Sequence, residues 1–259
     1  MKKITTILAA SFLAVAFCSV ANAQISVGFG YANKSVNNKT VATGEDNSGY
    51  QKGTATNLKG FYVEGMYNWD FYNTESGVLS LQPGVRYYYM TSLRAKISLK
   101  NDQGETKSKS RFNDHLLDIP VNVKYTYDLA SGSVKAYAFA GPVLSFGLRA
   151  AEKSQQIVKV DGETQDGSYK SVTNAYNGKT KTQTWTDGKW EKSESSSDGH
   201  MSLFDLKLGL GLGLQVMEKF DVKFGYNLGL LNRTTVKADE GEKYKAHSNI
   251  LWFGVAYNF

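Results

Sequence analysis

Cysteine and proline are almost absent from this chain of 259 residues, which holds one Cys and three Pro. A single Cys excludes an intramolecular disulfide framework and a Cys-based zinc site. Histidine is nearly as scarce, at three residues. Past residue 23 no uninterrupted apolar run approaches the roughly 20 residues that a membrane-crossing helix needs, so a helical membrane bundle is excluded. No strong excess of one charge is present either, with 30 Lys+Arg against 24 Asp+Glu. That small, dispersed surplus does not suit a nucleic-acid binder. What the chain has is 25 Gly, 16 Tyr, 13 Phe and a hydrophobic fraction of 41%. This is too apolar for a disordered chain, and the length suffices for one large all-β domain.

Residues 1–23 read as a cleaved secretory signal peptide. Lys2 and Lys3 form the positive end, Ile7 to Phe17 the apolar stretch, and Ala21-Asn22-Ala23 an A-x-A cleavage site. A lipoprotein modified at Cys18 is the competing reading, and bulky Phe17 before the Cys argues against it. Cleavage after Ala23 removes the only Cys and both targeting lysines, leaving a domain at 24–259 with 28 basic and 24 acidic residues, net +4.

Period-2 alternation dominates the rest. From Phe204 to Leu214 every even position is large and apolar, while the odd positions are Asp205, Lys207, Gly209, Gly211 and Gly213. A helix would scatter these leucines around its circumference, so the segment is a strand. Phe220 to Leu230, Phe61 to Trp69, Leu79 to Tyr89 and Leu117 to Tyr127 repeat the pattern. The polar faces carry small residues and four acids and four bases: Glu64, Arg86, Asp118, Lys124, Asp205, Lys207, Asp221 and Lys223. Such a set suits mutual pairing in a narrow lumen, and the charge-free apolar faces suit lipid. A soluble sandwich with the apolar faces buried is the alternative. It does not explain the aromatics near strand ends, Trp69, Tyr125, Tyr127 and Tyr257, where membrane barrels place them.

Eight strands are predicted, at about 25–33, 58–70, 78–92, 115–127, 134–148, 202–216, 220–231 and 248–259. The long connections 34–57, 93–114, 149–201 and 232–247 alternate with the short ones 71–77, 128–133 and 217–219. The expected fold is an all-β, eight-stranded antiparallel up-and-down transmembrane β-barrel with long extracellular hairpin loops and periplasmic termini. In the fifth strand the apolar parity changes between Tyr137, Phe139 and Leu144, Phe146, Leu148. A bulge at Ala140-Gly141-Pro142 would put all five toward lipid.

The last strand, Leu251 to Phe259, alternates and ends on Phe, with Tyr257 two residues before it. It resembles the signal by which the barrel-assembly machinery recognises outer-membrane proteins of Gram-negative bacteria. Leu116-Leu117-Asp118-Ile119-Pro120-Val121-Asn122-Val123-Lys124-Tyr125, Tyr137-Ala138-Phe139-Ala140-Gly141-Pro142 and Tyr226-Asn227-Leu228-Gly229-Leu230-Leu231-Asn232 carry a second resemblance. They resemble the outer-membrane β-barrel domain of Bacteroidota, the PorT-like group. The resemblance implies fold and cell outer-membrane location, with no catalytic residue.

Eight strands leave an interior that side chains can fill. Tyr62, Tyr88, Met90 and Trp252 point inward, and Gly209, Gly211, Gly213, Gly225 and Gly229 make room for them on the opposite wall. The lumen is therefore expected to be plugged. His115, His200 and His247 fall at or beyond the extracellular strand ends without metal-ligand spacing. His247 and Ser248 are the nearest thing to a lipid-A-modifying pair, but neighbours in a strand point to opposite faces. No cofactor, metal or catalytic residue is expected.

In the 149–201 connection, Asp161-Gly162 and Asp187-Gly188 sit between alternating runs, a strong hairpin signal. Trp185 and Trp190 straddle the second turn and offer anchors for an extracellular protein or glycan, or else pack on each other. The 93–114 loop carries Arg94, Lys96, Lys100, Lys107, Lys109 and Arg111 against Asp102, Glu105 and Asp114. That basic loop would meet lipopolysaccharide phosphates above the outer leaflet. The leading function is a monomeric, non-enzymatic structural or interaction barrel acting through its loops. A narrow solute channel is the alternative, and a lipid A-modifying enzyme the second alternative.

Overall fold

The computed structural model describes residues 23–42, 50–52, 56–92, 95–101, 104–129, 133–236 and 242–259. The signal segment 1–22 and Arg94 lie outside them. Among the described residues fourteen strands run in chain order: β1 (Ala23–Ala42), β2 (Tyr50–Lys52), β3 (Thr56–Asn73), β4 (Gly77–Ser92), β5 (Ala95–Asn101), β6 (Gly104–Asp128), β7 (Val134–Val160), β8 (Glu163–Thr164), β9 (Tyr169–Asn174), β10 (Lys179–Thr186), β11 (Lys189–Ser196), β12 (Phe204–Val216), β13 (Phe220–Gly229) and β14 (Glu242–Asn258). Among the described residues no helix is long and apolar enough to cross a membrane.

Eight strands close on themselves. β1, β3, β4, β6, β7, β12, β13 and β14 pair antiparallel in that order, and β14 returns to β1. These are the eight expected strands. Four of them, β1, β6, β7 and β14, run far past their expected ends on the side of the long connections. A closed ring removes every sheet edge in the membrane, which is what hydrocarbon demands of a strand-built span. The alternating faces are sorted as expected: Phe29, Phe61, Val123, Leu212 and Phe253 are exposed, while Glu64, Arg86, Asp118 and Lys207 are buried.

The fifth barrel strand corrects the sequence reading. No bulge interrupts Ala140-Gly141-Pro142; β7 keeps register with β12 from Val134 to Phe146. Tyr137 and Phe139 are 5% and 7% exposed and point into the lumen, whereas Leu144, Phe146 and Leu148 face out. The reason is packing. A Cβ at Gly213 would collide with the Tyr137 ring, and one at Gly211 with the Phe139 ring. Both glycines are the cross-strand partners of those aromatics. The room is therefore made on the adjacent strand, and the expected opposite-wall pairing is corrected with it. Ala136, Ala138 and Ala140 cover the outside instead. The parity change does occur, but higher up: the β6–β7 register shifts at His115/Leu116, leaving Leu148 as the extra residue.

Above the ring β6 and β7 continue as a flap. Its order is β5-β6-β7-β9-β10-β11, with β8 pairing the tip of β7. Asp161-Gly162 and Asp187-Gly188 turn two of its hairpins with positive φ at all four residues, as two-residue hairpins of this twist require. Thus the 149–201 connection is mostly strand.

Candidate functional site

The barrel interior holds two groups of charges separated by aromatics. Arg86 donates to Glu64 through Nε at 2.7 Å, and Lys223 pairs with the other carboxylate oxygen. The Arg86 guanidinium carbon sits 3.7 Å from the Trp252 ring centroid, and its Nη1 donates to Tyr88 Oη at 3.2 Å. Tyr62 meets Trp252 edge-on at 5.5 Å, and Phe139 stacks on its other side at 5.9 Å. A second group lies nearer the long loops. There Lys207 Nζ donates to Asp118 at 3.2 Å and to Ser145 Oγ at 2.8 Å, and Asn227 also donates to Asp118. Lys124 lies 4.3 Å from the Tyr137 ring centroid. The structure therefore joins five of the eight lumen residues in two ion-paired groups. Among the described residues Lys124, Asp205 and Asp221 are buried without an ion pair inside 4 Å. Pairing stabilises those five, because an isolated charge taken from water costs several kcal/mol.

The extracellular mouth is closed by Lys34, Asp114, Tyr176 and Arg233, of which only Asp114 was named from the sequence, as an acid of the 93–114 loop, and it points inward. Lys34 forms an ion pair with Asp114. Tyr176 Oη donates to Asp114 at 3.0 Å, and Arg233 Nη2 donates to Tyr176 Oη at 3.2 Å and to the Ser202 carbonyl at 2.7 Å. Burial, with the Asp114 carboxylate beside it, pushes the Tyr176 hydroxyl up, so it stays a neutral donor. Lys34 and Asp114 come from the strand extensions and keep the inward parity of Ala32 and Leu116. Tyr176 and Arg233 come from irregular segments that lie across the mouth. Backbone bonds pin those segments together: Ala175 N to Ala150 O, Ser202 N to Arg233 O, Arg233 N to Ala246 O and Thr235 N to His200 O. Periodicity signals strands only, so nothing in the pattern pointed to these two.

Above that cap lies a cavity of about 630 Å³, bounded by Val36, Leu58, Phe112, Met201, Arg233 and Ser248 among others. His200 Nε2 lies 3.1 Å from Glu152 Oε1 on its wall. Ser248 is buried inside, while His247, next in the strand, is on the opposite face. His115 faces outward and contacts Tyr87 Oη at 2.6 Å through Nδ1. The three histidines are therefore apart, and among the described residues no group of three metal-ligating side chains converges.

The flap has two unlike faces. On β6 the outward row runs from Tyr127 through Val123, Ile119 and Leu117 to His115, and continues as Arg111, Lys109, Lys107 and Glu105. Register carries this face across the sheet: Lys96 lies opposite Lys109, Lys153 opposite Arg111, and Lys159 opposite Glu105. It goes on through Lys170 opposite Gln155, Lys181 opposite Val172, and Glu194 opposite Lys181. Among the described residues the face holds twelve cations, which add Lys100, Arg149, Lys179 and Lys192 to those just named, and two acids, Glu105 and Glu194. Both acids are paired, Glu105 with Lys107 at 2.6 Å and Glu194 with Lys181 at 2.8 Å. Hydrogen bonds from those lysines hold both carboxyls below the usual range. The opposite face presents Ser154, Ser171, Thr173, Thr180 and Thr182. Lys96, Lys100, Lys107, Lys109 and Arg111 of the expected basic loop thus join one surface. Trp185 and Trp190 share it, edge to face at 5.4 Å, with Lys170 Nζ 4.1 Å from the Trp190 centroid.

At the other end Tyr257 packs edge-on against Phe220 at 5.5 Å and against Phe259 at 5.0 Å. The Phe259 amide donates to the Ile25 carbonyl at 2.9 Å, tying the chain end to β1.

Comparison with solved structures finds barrels. Ail, the attachment invasion locus protein of Yersinia pestis, is 14% identical over 92% of this chain and 99% of its own, with a TM-score of 0.30. Neisserial surface protein A is 17% identical over 89% and 97%, TM-score 0.32. OprG from Pseudomonas aeruginosa is 12% identical over 91% and 95%, TM-score 0.36. No curated protein matches the chain. The family model described as outer membrane protein beta-barrel domain matches residues 19–234. With a closed ring of eight strands, apolar outside and ionic within, the chain belongs to the outer membrane protein beta-barrel domain family.

Proposed function

We propose that this protein is a non-enzymatic interaction barrel, filled and non-conducting, whose flap binds the phosphate groups of lipopolysaccharide. The observation that carries the reading is the continuity of the outward face. On β6 the row that meets lipid at Leu117 becomes basic at Arg111, six residues on and roughly 20 Å along the strand. With the tilt of about 45° usual for such strands, that height is the headgroup region. Twelve cations against two acids there attract anionic lipid, and the attraction is screened by salt. The Trp185–Trp190 pair supports the hairpin rather than a partner, since the rings occupy each other and Lys170.

Three finer features belong to this reading. Export uses the signal peptide cleaved after Ala23, the folded protein is a monomer, and the Leu116–Tyr125 and Tyr226–Asn232 segments support a place in the PorT-like group of Bacteroidota. The opposed facing of His247 and Ser248 supports a barrel without lipid-A hydrolysis. Replacing His247 by Ala should leave the lipid A mass spectrum unchanged.

Isothermal titration of lipopolysaccharide into the detergent-folded barrel tests the proposal. The quadruple variant Lys107→Gln/Lys109→Gln/Arg111→Gln/Lys153→Gln should bind at least tenfold more weakly, and raised salt should weaken the wild type similarly. Binding indifferent to both would overturn it.

A further inference from the structure

The cavity at the extracellular mouth has a floor that the flap reading leaves unused. Arg233 is 1% exposed and forms part of its wall. Nη2 is satisfied by Tyr176 and Ser202, but Nε and Nη1 have no hydrogen-bond partner, and neither has the buried Ser248 Oγ on the same cavity. Buried guanidinium donors left without acceptors are costly, and a native fold rarely carries them without an occupant. Val36, Leu58, Phe112 and Met201 give the cavity a largely apolar surface, and Lys39, Arg111, Glu152, Lys153, His200 and Lys245 also border it.

We infer that this cavity is a binding site for a soluble monocarboxylate with a short apolar body, its carboxylate received by Arg233 Nε and Nη1 and by Ser248 Oγ. A negative group fits the electrostatics. Asp114 is already balanced by Lys34, and the Tyr176 hydroxyl lies between it and Arg233, so the Arg233 charge is open to a ligand, and Lys39, Arg111, Lys153 and Lys245 against Glu152 keep the lining basic. A volume of about 630 Å³ suits a small organic molecule. The apolar wall favours an acid with a hydrocarbon tail over a bare inorganic anion. Below the floor the Lys34–Asp114–Tyr176 cluster blocks the way into the lumen, so the ligand is held at the mouth rather than passed inward. The groups that receive the carboxylate, Arg233 and Ser248, are not on the basic face of the flap, although Arg111 and Lys153 of that face also border the cavity, and failure of the site would leave the lipopolysaccharide reading standing.

Isothermal titration of the full barrel in lipid nanodiscs, with hexanoate and with hexan-1-ol as probes, tests the inference. Wild type should bind hexanoate at least tenfold more tightly than the alcohol. Arg233→Gln should abolish that preference. Because removing a buried cation can impair folding, Val36→Trp provides the second arm: it leaves Arg233 in place, fills the cavity from a half-buried wall position, and should lose binding of both probes at least tenfold. Equal affinity of wild type for the two probes would overturn the site. So would an unchanged hexanoate preference in folded Arg233→Gln, or unchanged hexanoate affinity in Val36→Trp.

Discussion

The lumen and the flap use the same residue types in opposite ways. In the lumen Glu64, Arg86, Lys223, Asp118 and Lys207 are buried and paired across strands. On the flap, cations of one sign crowd a solvent-facing sheet with two acids among them. Desolvation explains the first arrangement, because a charge out of water needs its opposite within reach. Water and counter-ions permit the second, which gains little for stability and leaves charge available to an outside anion. Charge placed inside this barrel holds it together, and charge placed above the membrane stays open to its surroundings, as the proposed lipopolysaccharide binding requires.

The contrast can be broken most forcefully inside. Glu64→Ala strands Arg86 and Lys223 in the lumen and should destabilise the barrel by about 3–5 kcal/mol, read by urea unfolding in detergent. An effect near zero would mean that water reaches those cations. Leu210→Arg, on the lipid face near the midplane, should cost about 2–4 kcal/mol in vesicles. Gly213→Ala drives a methyl into the Tyr137 ring and should cost about 1–3 kcal/mol, most of it recovered in Gly213→Ala/Tyr137→Leu. Absence of that recovery would contradict the inward placement of Tyr137. Trp185→Ala should loosen only the flap, by about 0.5–1.5 kcal/mol, seen as faster proteolysis near Asp187-Gly188 with the barrel melting unchanged. Smallest of all, Glu194→Gln should leave thermal stability unaltered within error, since its pair with Lys181 is exposed to water.

How far the sequence reveals this molecule follows from the same contrast. The eight spans were legible because lipid outside and a filled lumen inside impose a period of two, so the alternation from Phe204 to Leu214 in β12 cannot be read otherwise. The hairpin turns were legible because Asp187-Gly188 needs positive φ at both residues. Tyr137 and Phe139 were misassigned because an aromatic ring suits both lipid and lumen, and only the glycines on β12, which pair with them in register, decide between the two. The strand extensions were cut short because water bathes both faces above the membrane, and polar residues on both sides erase the alternation. Lys34 and Asp114 lay just past that limit, though their parity marks them as inward. Tyr176 and Arg233 come from irregular backbone laid over the mouth, and no local pattern encodes where such a segment docks.

The division between a filled interior and an interactive exterior is tested most directly by single-channel recording. The protein, purified in detergent and shown to be folded by heat-modifiable gel migration, is inserted into a planar bilayer. The account predicts silence, because Tyr62, Arg86, Phe139 and Trp252 pack across the lumen and the Lys34–Asp114–Tyr176–Arg233 cluster closes its mouth. Stable, ion-selective openings would contradict it and make the inward charges the lining of a water path.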